Sequence, residues 1–268
     1  MLHTDNRTDQ SGLTKPAMNP EFYPEGPAIL IERNERTLVI ADPHFGVEAD
    51  LHRRGLHFQS GTASRLSRLV TIIEESNPDY LVVLGDLKHM IPYVTYQERN
   101  EVPEVLRKIR ERTEFRLAPG NHDTGLEKYL LNGELLPANG EVIDGCGYMH
   151  GHTIPAPELA GKLILCGHHH PVVNIYDEVG CSLRGTPGYL LAEIDSTALE
   201  LPETQTTTRV LLVPAFYELA GGLDVRLIPG NKISPIAKAI RTETAEVFLK
   251  DGTYVDTWEN LSPNPEEK

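Results

Sequence analysis

Five short polar signatures each follow a short apolar run, and this alternation constrains the fold of the chain more than any other feature. Residues 37–41 run into Asp42-Pro43-His44, and residues 80–84 into Gly85-Asp86. Residues 115–118 are closed by Pro119-Gly120-Asn121-His122-Asp123. Tyr148-Met149 leads into His150-Gly151-His152, and residues 162–166 into Gly167-His168-His169-His170. Apolar runs this short, closed by turn residues, predict buried strands. In α/β sheets, loops at the carboxyl ends of strands project side chains into a common crevice. The pattern therefore predicts a pocket that gathers Asp, Asn and His.

The rest of the sequence fits around these strands. Residues 28–32 and 37–41, flanking Arg33-Asn34-Glu35-Arg36, predict a hairpin. Ala63, Leu66, Leu69, Val70 and Ile73 predict a helix over 60–75, and Val102, Val105, Leu106 and Ile109 a second over 95–112. Residues 141–143 and 148–149 predict another hairpin. Strands are expected at 172–176, 189–194, 209–213, 247–249 and 253–257. Helices alternate with strands early and strands dominate late, so the expected class is α/β with two mixed sheets. One domain over 27–260 is expected, between a flexible tail over 1–26 rich in proline and another over 261–268.

Composition narrows the functional classes. The 268 residues carry 25 basic and 39 acidic side chains, a net charge of −14, which argues against a protein built to coat nucleic acid. The last 27 residues (242–268) hold seven acids and two bases, a net of −5. The most basic stretch, 97–116, interleaves Arg99, Arg107, Lys108, Arg110, Arg112 and Arg116 with Glu98, Glu101, Glu104, Glu111 and Glu114. It predicts a solvated, salt-bridged face. No apolar run is long enough to span a bilayer, and Met1-Leu2-His3-Thr4-Asp5 lacks the marks of a signal peptide. Three cysteines, Cys146, Cys166 and Cys181, are too few for a disulfide framework, so a reducing cytoplasm is expected. Cys166 reads as a small core residue.

Histidine is distributed unevenly. Ten of the eleven lie between His44 and His170. Carboxylate, amide and imidazole together suit first-row divalent ions such as Mn²⁺, Fe²⁺, Zn²⁺ or Ni²⁺, and no cysteine falls inside the signatures. Alternate residues of an extended segment share a side, so Asp42 with His44, and His168 with His170, can each grip from one direction. Six to eight potential ligands exceed the need of one ion, and two ions are expected. No glycine-rich P-loop motif accompanies them.

D-x-H, G-D, G-N-H-D, H-G-H and G-H-x-H, in this order, resemble the calcineurin-like metallophosphoesterases over about residues 28–240. Gly85-Asp86-Leu87-Lys88-His89 and Leu211-Leu212-Val213-Pro214-Ala215-Phe216 resemble a narrower branch, the archaeal SbcD-related and DNA ligase-associated phosphoesterases. The resemblance implies a four-layer α-β-β-α sandwich. It implies Asp42, His44 and His170 on a first metal, Asn121, His150 and His168 on a second, and Asp86 bridging them. His122 would stand over the scissile phosphate, donating a proton to the leaving oxygen or stabilising negative charge. It also implies a metal-activated water or hydroxide attacking phosphorus, and DNA-repair partners.

One position departs from many relatives, which carry Asp where this chain has His89. A neutral His89 could accept a hydrogen bond from His122 but would support less positive charge, which predicts a weaker proton donor and an acidic limb that H89D would move. Arg53 and Arg54 are candidate substrate contacts, in a loop that also holds His52 and His57. His152 is a candidate for touching substrate or for supporting a ligand, and His169 for a supporting or structural role. The expected function is metal-dependent phosphoester hydrolysis, most specifically of diesters in nucleotides or nucleic-acid ends. A phosphomonoesterase and a non-catalytic metal-binding interaction module on the same fold are the alternatives.

Overall fold

A computed structural model describes residues 19–56, 59–177 and 180–261. The N-terminal half contributes β1 (Asn19–Tyr23), β2 (Ala28–Glu32), β3 (Arg36–Ile40), α1 (Glu48–Arg53), α2 (Thr62–Ser76), β4 (Tyr80–Val83), α3 (Tyr96–Arg110) and β5 (Glu114–Leu117). Its sheet runs in the order β1-β2-β3-β4-β5. The two hairpin pairings are antiparallel, whereas β3-β4 and β4-β5 are parallel and joined through α2 and α3. A parallel neighbour needs a crossover, and the two amphipathic helices provide it.

The C-terminal half contributes β6 (Glu141–Ile143), β7 (Cys146–Met149), β8 (Leu163–Cys166), β9 (Pro171–Asp177), β10 (Gly180–Glu193), β11 (Arg209–Leu212), β12 (Leu223–Asp224), α4 (Pro235–Ala239), β13 (Glu246–Leu249) and β14 (Tyr254–Thr257). β6-β7 is antiparallel, β7-β8 and β8-β11 are parallel, and β11-β10 is antiparallel, so this sheet is also mixed. The long β10 pairs first with β9, then with β13.

Three apolar cores define the layers. Ile29, Val39, Val82 and Leu84 meet Tyr148, Leu165, Tyr189, Leu211 and Phe248 between the sheets. Leu69, Ile72 and Ile73 of α2, with Val102, Val105, Leu106 and Ile109 of α3, cover the outer face of the first sheet. The outer face of the second sheet is covered by Leu199, Leu201 and Ile228 from loops and turns, and by Ile236, Ala237 and Ala239 of α4. The expected four layers are therefore present, but the last is a five-residue helix with turns.

The tail boundary needs correction. Residues 19–23, read from sequence as tail, form strand β1, because an edge strand tolerates Pro20 and the register from Asn19↔Glu32 to Tyr23↔Ala28 is complete. Residues 1–18 and 262–268, with most of both expected tails, lie outside the described residues, as does His57. The 97–116 face is ion-paired as expected: Arg107 meets Glu104 and Glu111, Arg112 Glu74 at 2.8 Å, and Arg110 Glu134 at 2.6 Å. Cys146 and Cys166 are free and buried. Among the described residues, no helix is long and apolar enough to cross a membrane.

Candidate metal centre

Each signature lies just past a strand end, and the two sheets present those ends to each other. Asp42 and His44 follow β3, and Asp86 follows β4. Asp42 N donates to Gly85 O at 3.2 Å and His44 N to Asp86 O at 2.9 Å, which prolongs the parallel pairing into the loops. The loop after β11 crosses between the sheets, with Phe216 N donating to Ala41 O at 2.7 Å. The loop after β8 closes from the other side, with His168 N donating to Asp42 Oδ2 at 3.0 Å. Glycine opens three of the signatures for steric reasons, and a side chain at Gly167 would strike Leu84 O and the Asp42 carboxylate. A side chain at Gly85, which has φ +77°, would strike the His150 ring, and one at Gly120 would strike the Asp86 carboxylate.

Asp86 stands at the centre. Its oxygens lie 3.6 Å from His150 Nε2, 3.8 Å from His44 Nε2 and 3.8 Å from His122 Nε2. Asp42 Oδ1 lies 3.4 Å from His170 Nε2. Asn121 Oδ1 is 3.2 Å, and His168 Nδ1 3.1 Å, from His150 Nε2. Asp42, His44 and His170 thus form one compact donor group, Asp42, Asp86 and His150 another, and Asn121 and His168 adjoin the second. All seven residues read from sequence as metal ligands are brought together.

The protein fixes which ring nitrogen faces the centre. His150 Nδ1 donates to Leu84 O at 2.8 Å and His168 Nε2 to Ile233 O at 3.4 Å, leaving the opposite nitrogen of each ring with its lone pair turned inward. Burial drives the His44 pKa well below the usual value and, with His150 beside it, lowers that of His168 to about 4, so both rings are neutral donors. Burial would lower His170, but the Asp42 carboxylate beside it raises it. Burial would also raise Asp42, yet His170, His150 and His44 hold it below the ordinary range. Asp86 rises to about 7, through burial first and the charge of Asp42 second. Two buried carboxylates this close call for cations.

Backbone strain collects at the same residues. Asp42, His44, Asp86, His168 and His170 have φ between +44° and +70°, five of eight non-glycine residues with positive φ among those described. Each such position costs roughly 1–3 kcal/mol and persists where the surroundings over-determine it. Oxygen and imidazole donors, neutral rings and strained loops fit divalent cations of the kind the sequence predicts.

His122 lies beside Asp86, and its partner differs from the one expected. Its Nδ1 donates to the backbone oxygen of His89, and its own N–H donates to Asp86 Oδ1 at 3.0 Å. The His89 side chain does not accept from His122. Its Nδ1 instead lies 3.3 Å from His44 Nδ1, and its Nε2 3.8 Å from Asp50 Oδ2. Burial first, and His122 second, lower the His89 pKa. The reason is local: Glu98 Oε1 accepts the backbone N–H groups of His89 (3.0 Å) and Met90 (2.7 Å), turning the loop so that its backbone faces His122.

The three candidate substrate residues differ in position. His152 lies 5.2 Å between ring centroids from His150 and 6.2 Å from His168, and its Nδ1 is buried without a hydrogen bond. Arg53 donates to Tyr93 Oη at 2.5 Å, and Arg54 pairs with Asp50 at 2.7 Å, so both are exposed but engaged by the protein. His169 is structural: it is buried, with Nδ1 2.7 Å from Gly167 O and Nε2 2.7 Å from Ser234 Oγ. Cys166 is a core residue whose Sγ donates to His150 O at 3.3 Å.

Several supports are not singled out by the sequence: Arg65 lies outside every signature, and Lys88 and Asp123 lie inside signatures without an assigned role. Arg65, almost fully buried, pairs with Glu48 at 3.2 Å, donates to His44 O at 3.3 Å and lies 4.4 Å over the Tyr217 ring. Lys88 donates to the carbonyls of Met90 and His122, and Asp123 accepts from Gly120 N at 2.8 Å and Lys88 N at 3.3 Å. Together they tie the Gly85-Asp86 loop to the Gly120–Asp123 loop.

No curated protein sequence matches the chain. Nuclease MPE of Pseudomonas putida is similar in structure, with a TM-score of 0.55 and 21% identity, covering 87% of this chain and 97% of that one. The phosphoesterase YfcE of E. coli aligns at a TM-score of 0.36 and 13% identity over 82% of this chain and 96% of that one. The first likeness bears on the fold alone. The model of the calcineurin-like phosphoesterases matches residues 35–187, more than half the chain and spanning every signature from Asp42 to His170. Strand ends, donor set and family match agree, and the chain belongs to the calcineurin-like phosphoesterases, a family of metal-dependent phosphoester hydrolases.

Proposed function

We propose that the protein is a dinuclear metal-dependent phosphodiesterase acting on nucleotides or nucleic-acid ends. The observation that carries this reading is the position of Asp86, within 3.8 Å of His44, His122 and His150 and adjacent to both donor groups. Asp42, His44 and His170 would hold one ion, Asn121, His150 and His168 the other, and Asp86 both. Mn²⁺ fits the mixed oxygen and nitrogen donors, as do Fe²⁺, Zn²⁺ and Ni²⁺. Such ions, when bound, polarise a phosphoryl oxygen and lower the pKa of water.

The remaining chemistry belongs to side chains. His122 is anchored through Nδ1, which leaves Nε2 turned toward Asp86 and available to hold a proton for the leaving oxygen or to stabilise charge on the phosphoryl group. His152, half-buried beside His150, is a candidate contact for a substrate oxygen. Arg53 and Arg54 would reach substrate only by leaving Tyr93 and Asp50. The likeness of Gly85–His89 and Leu211–Phe216 to the SbcD-related branch, and the similarity in structure to a Pseudomonas putida nuclease, support a diester rather than a monoester. The likeness to the SbcD-related and DNA ligase-associated branch is the ground for expecting DNA-repair partners, and the low cysteine count is the ground for expecting a cytoplasmic place.

The test is an assay with Mn²⁺ against bis-p-nitrophenyl phosphate, p-nitrophenyl phosphate and single-stranded DNA. Hydrolysis of the first and not the second is the expected result. Hydrolysis of the monoester alone would select a phosphomonoesterase, and none with metals bound would select the interaction module.

A further inference from the structure

A polar cavity of about 220 Å³ opens beside His170, lined also by Asn174, Arg184, Tyr217 and Glu218. It shares one residue with the metal centre and is otherwise built from the β9-β10 ribbon and the loop after β11. Arg184 occupies an irregularity of that ribbon. Leu183 pairs with Ile175 and Thr186 with Val173, so Arg184 and Gly185 together oppose Asn174. Such a bulge re-aims the side chains it carries. Gly185 has φ +59°, and its N–H donates to Asn174 Oδ1 at 2.7 Å. Asn174 is held in turn, its Nδ2 donating to Asp224 Oδ2 at 2.6 Å, while Arg226 also grips Asp224 at 2.6 Å. The bulge is therefore pinned from below.

Charge in the cavity is one-sided. The Glu218 carboxylate is engaged by Arg68 and lies 3.8 Å from Arg65 Nε, so it is compensated. Arg184 is exposed and has no ion-pair or hydrogen-bond partner among the described residues. A guanidinium held at the rim of a cleft that reaches a phosphoester site matches a second phosphate in geometry and sign. Tyr217, clamped under Arg65 and edge-on to His44 at 6.4 Å between centroids, forms the wall between the two.

We propose that this cavity is a phosphate subsite, in which Arg184 receives the phosphate next to the scissile diester of an oligonucleotide. The inference rests on the phosphodiesterase reading and adds the substrate class: chains with a neighbouring phosphate are preferred over diesters that carry one phosphorus. Arg184 touches no reacting atom and acts on specificity.

Steady-state kinetics of the wild type, R184A and R184K, on bis-p-nitrophenyl phosphate and on a single-stranded decanucleotide with Mn²⁺, test it. In R184A the ratio of kcat/KM for the oligonucleotide to that for the small diester should fall about tenfold or more, mainly through KM. R184K should recover part of the loss, and the salt dependence of the oligonucleotide KM should flatten by roughly one phosphate contact, about 0.7 in log–log slope. An unchanged ratio in R184A overturns the subsite. So does a wild type that cleaves the small diester but never the oligonucleotide, which leaves the phosphodiesterase reading intact. A wild type that cleaves neither overturns that reading and the subsite with it.

Discussion

His89 Nδ1 lies 3.3 Å from His44 Nδ1, and this contact gives His89 a different task from the one its position in sequence suggests. One of the two nitrogens must carry the hydrogen. With Asp50 3.8 Å from His89 Nε2, the arrangement that places hydrogen on Nε2 of His89 and on Nδ1 of His44 leaves the Nε2 lone pair of His44 facing Asp86. His89 then orients His44, a proposed metal ligand.

The first prediction follows from that contact. H89A should weaken metal binding by about tenfold. H89D should keep His44 oriented, restore affinity to near the wild-type value, and leave the acidic limb of the rate profile in place. Calorimetric metal titration with a pH–rate profile checks this. A displaced limb with unchanged metal affinity would favour a direct His89 to His122 coupling instead.

His122 should separate turnover from metal binding. H122A is expected to lower kcat on an activated diester by about 10²–10⁴-fold while metal content stays unchanged. Loss of metal in H122A would instead place His122 among the ligands.

Metal binding should release protons. The Asp86 carboxyl, raised to about 7 by burial and by Asp42, is largely protonated at pH 6 and must lose that proton to hold a cation. His170, raised by Asp42 against the effect of burial, acts in the same direction. Affinity should therefore fall as pH drops from 8 to 6. Titration calorimetry in buffers of different ionisation enthalpy should count released protons, and affinity that is flat across this range would refute the assignment.

Glu98 should matter beyond its own helix. Fully buried, it closes the capping box with Thr95 and also accepts the His89 and Met90 N–H groups. E98A leaves those donors unsatisfied and should cost about 3 kcal/mol or more in urea unfolding. T95A, which removes only the cap, should cost about 1 kcal/mol. Equal costs would mean that the 89–90 loop is held by other contacts.

Much of this architecture was legible in the sequence because its decisive features are local. Asp42, His44, Asp86, Asn121, His150, His168 and His170 each sit within a few residues of a strand end, and the apolar runs locate those ends. What escaped depends on contacts between distant residues. Glu98 reads as one acid of a solvated, salt-bridged face, yet it is buried as a capping residue, and its hold on the 89–90 loop needs that loop folded against it. The Arg184 bulge exists only through pairing with β9. Strand β1 contains Pro20, which speaks against a strand until its edge position is known. Helices α1 and α4, with six and five residues, are too short to show a period.

In the proposed mechanism two ions are held by two donor groups bridged by Asp86, and turnover needs both. Manganese titration of metal-stripped wild type and N121A, followed together with hydrolysis of bis-p-nitrophenyl phosphate, is the decisive experiment. Two ions per wild-type chain are expected, with activity that develops with the second, and an N121A protein that retains one ion and loses about 100-fold or more of its activity. Full activity with one ion bound, or an N121A protein that binds two and turns over normally, would contradict it.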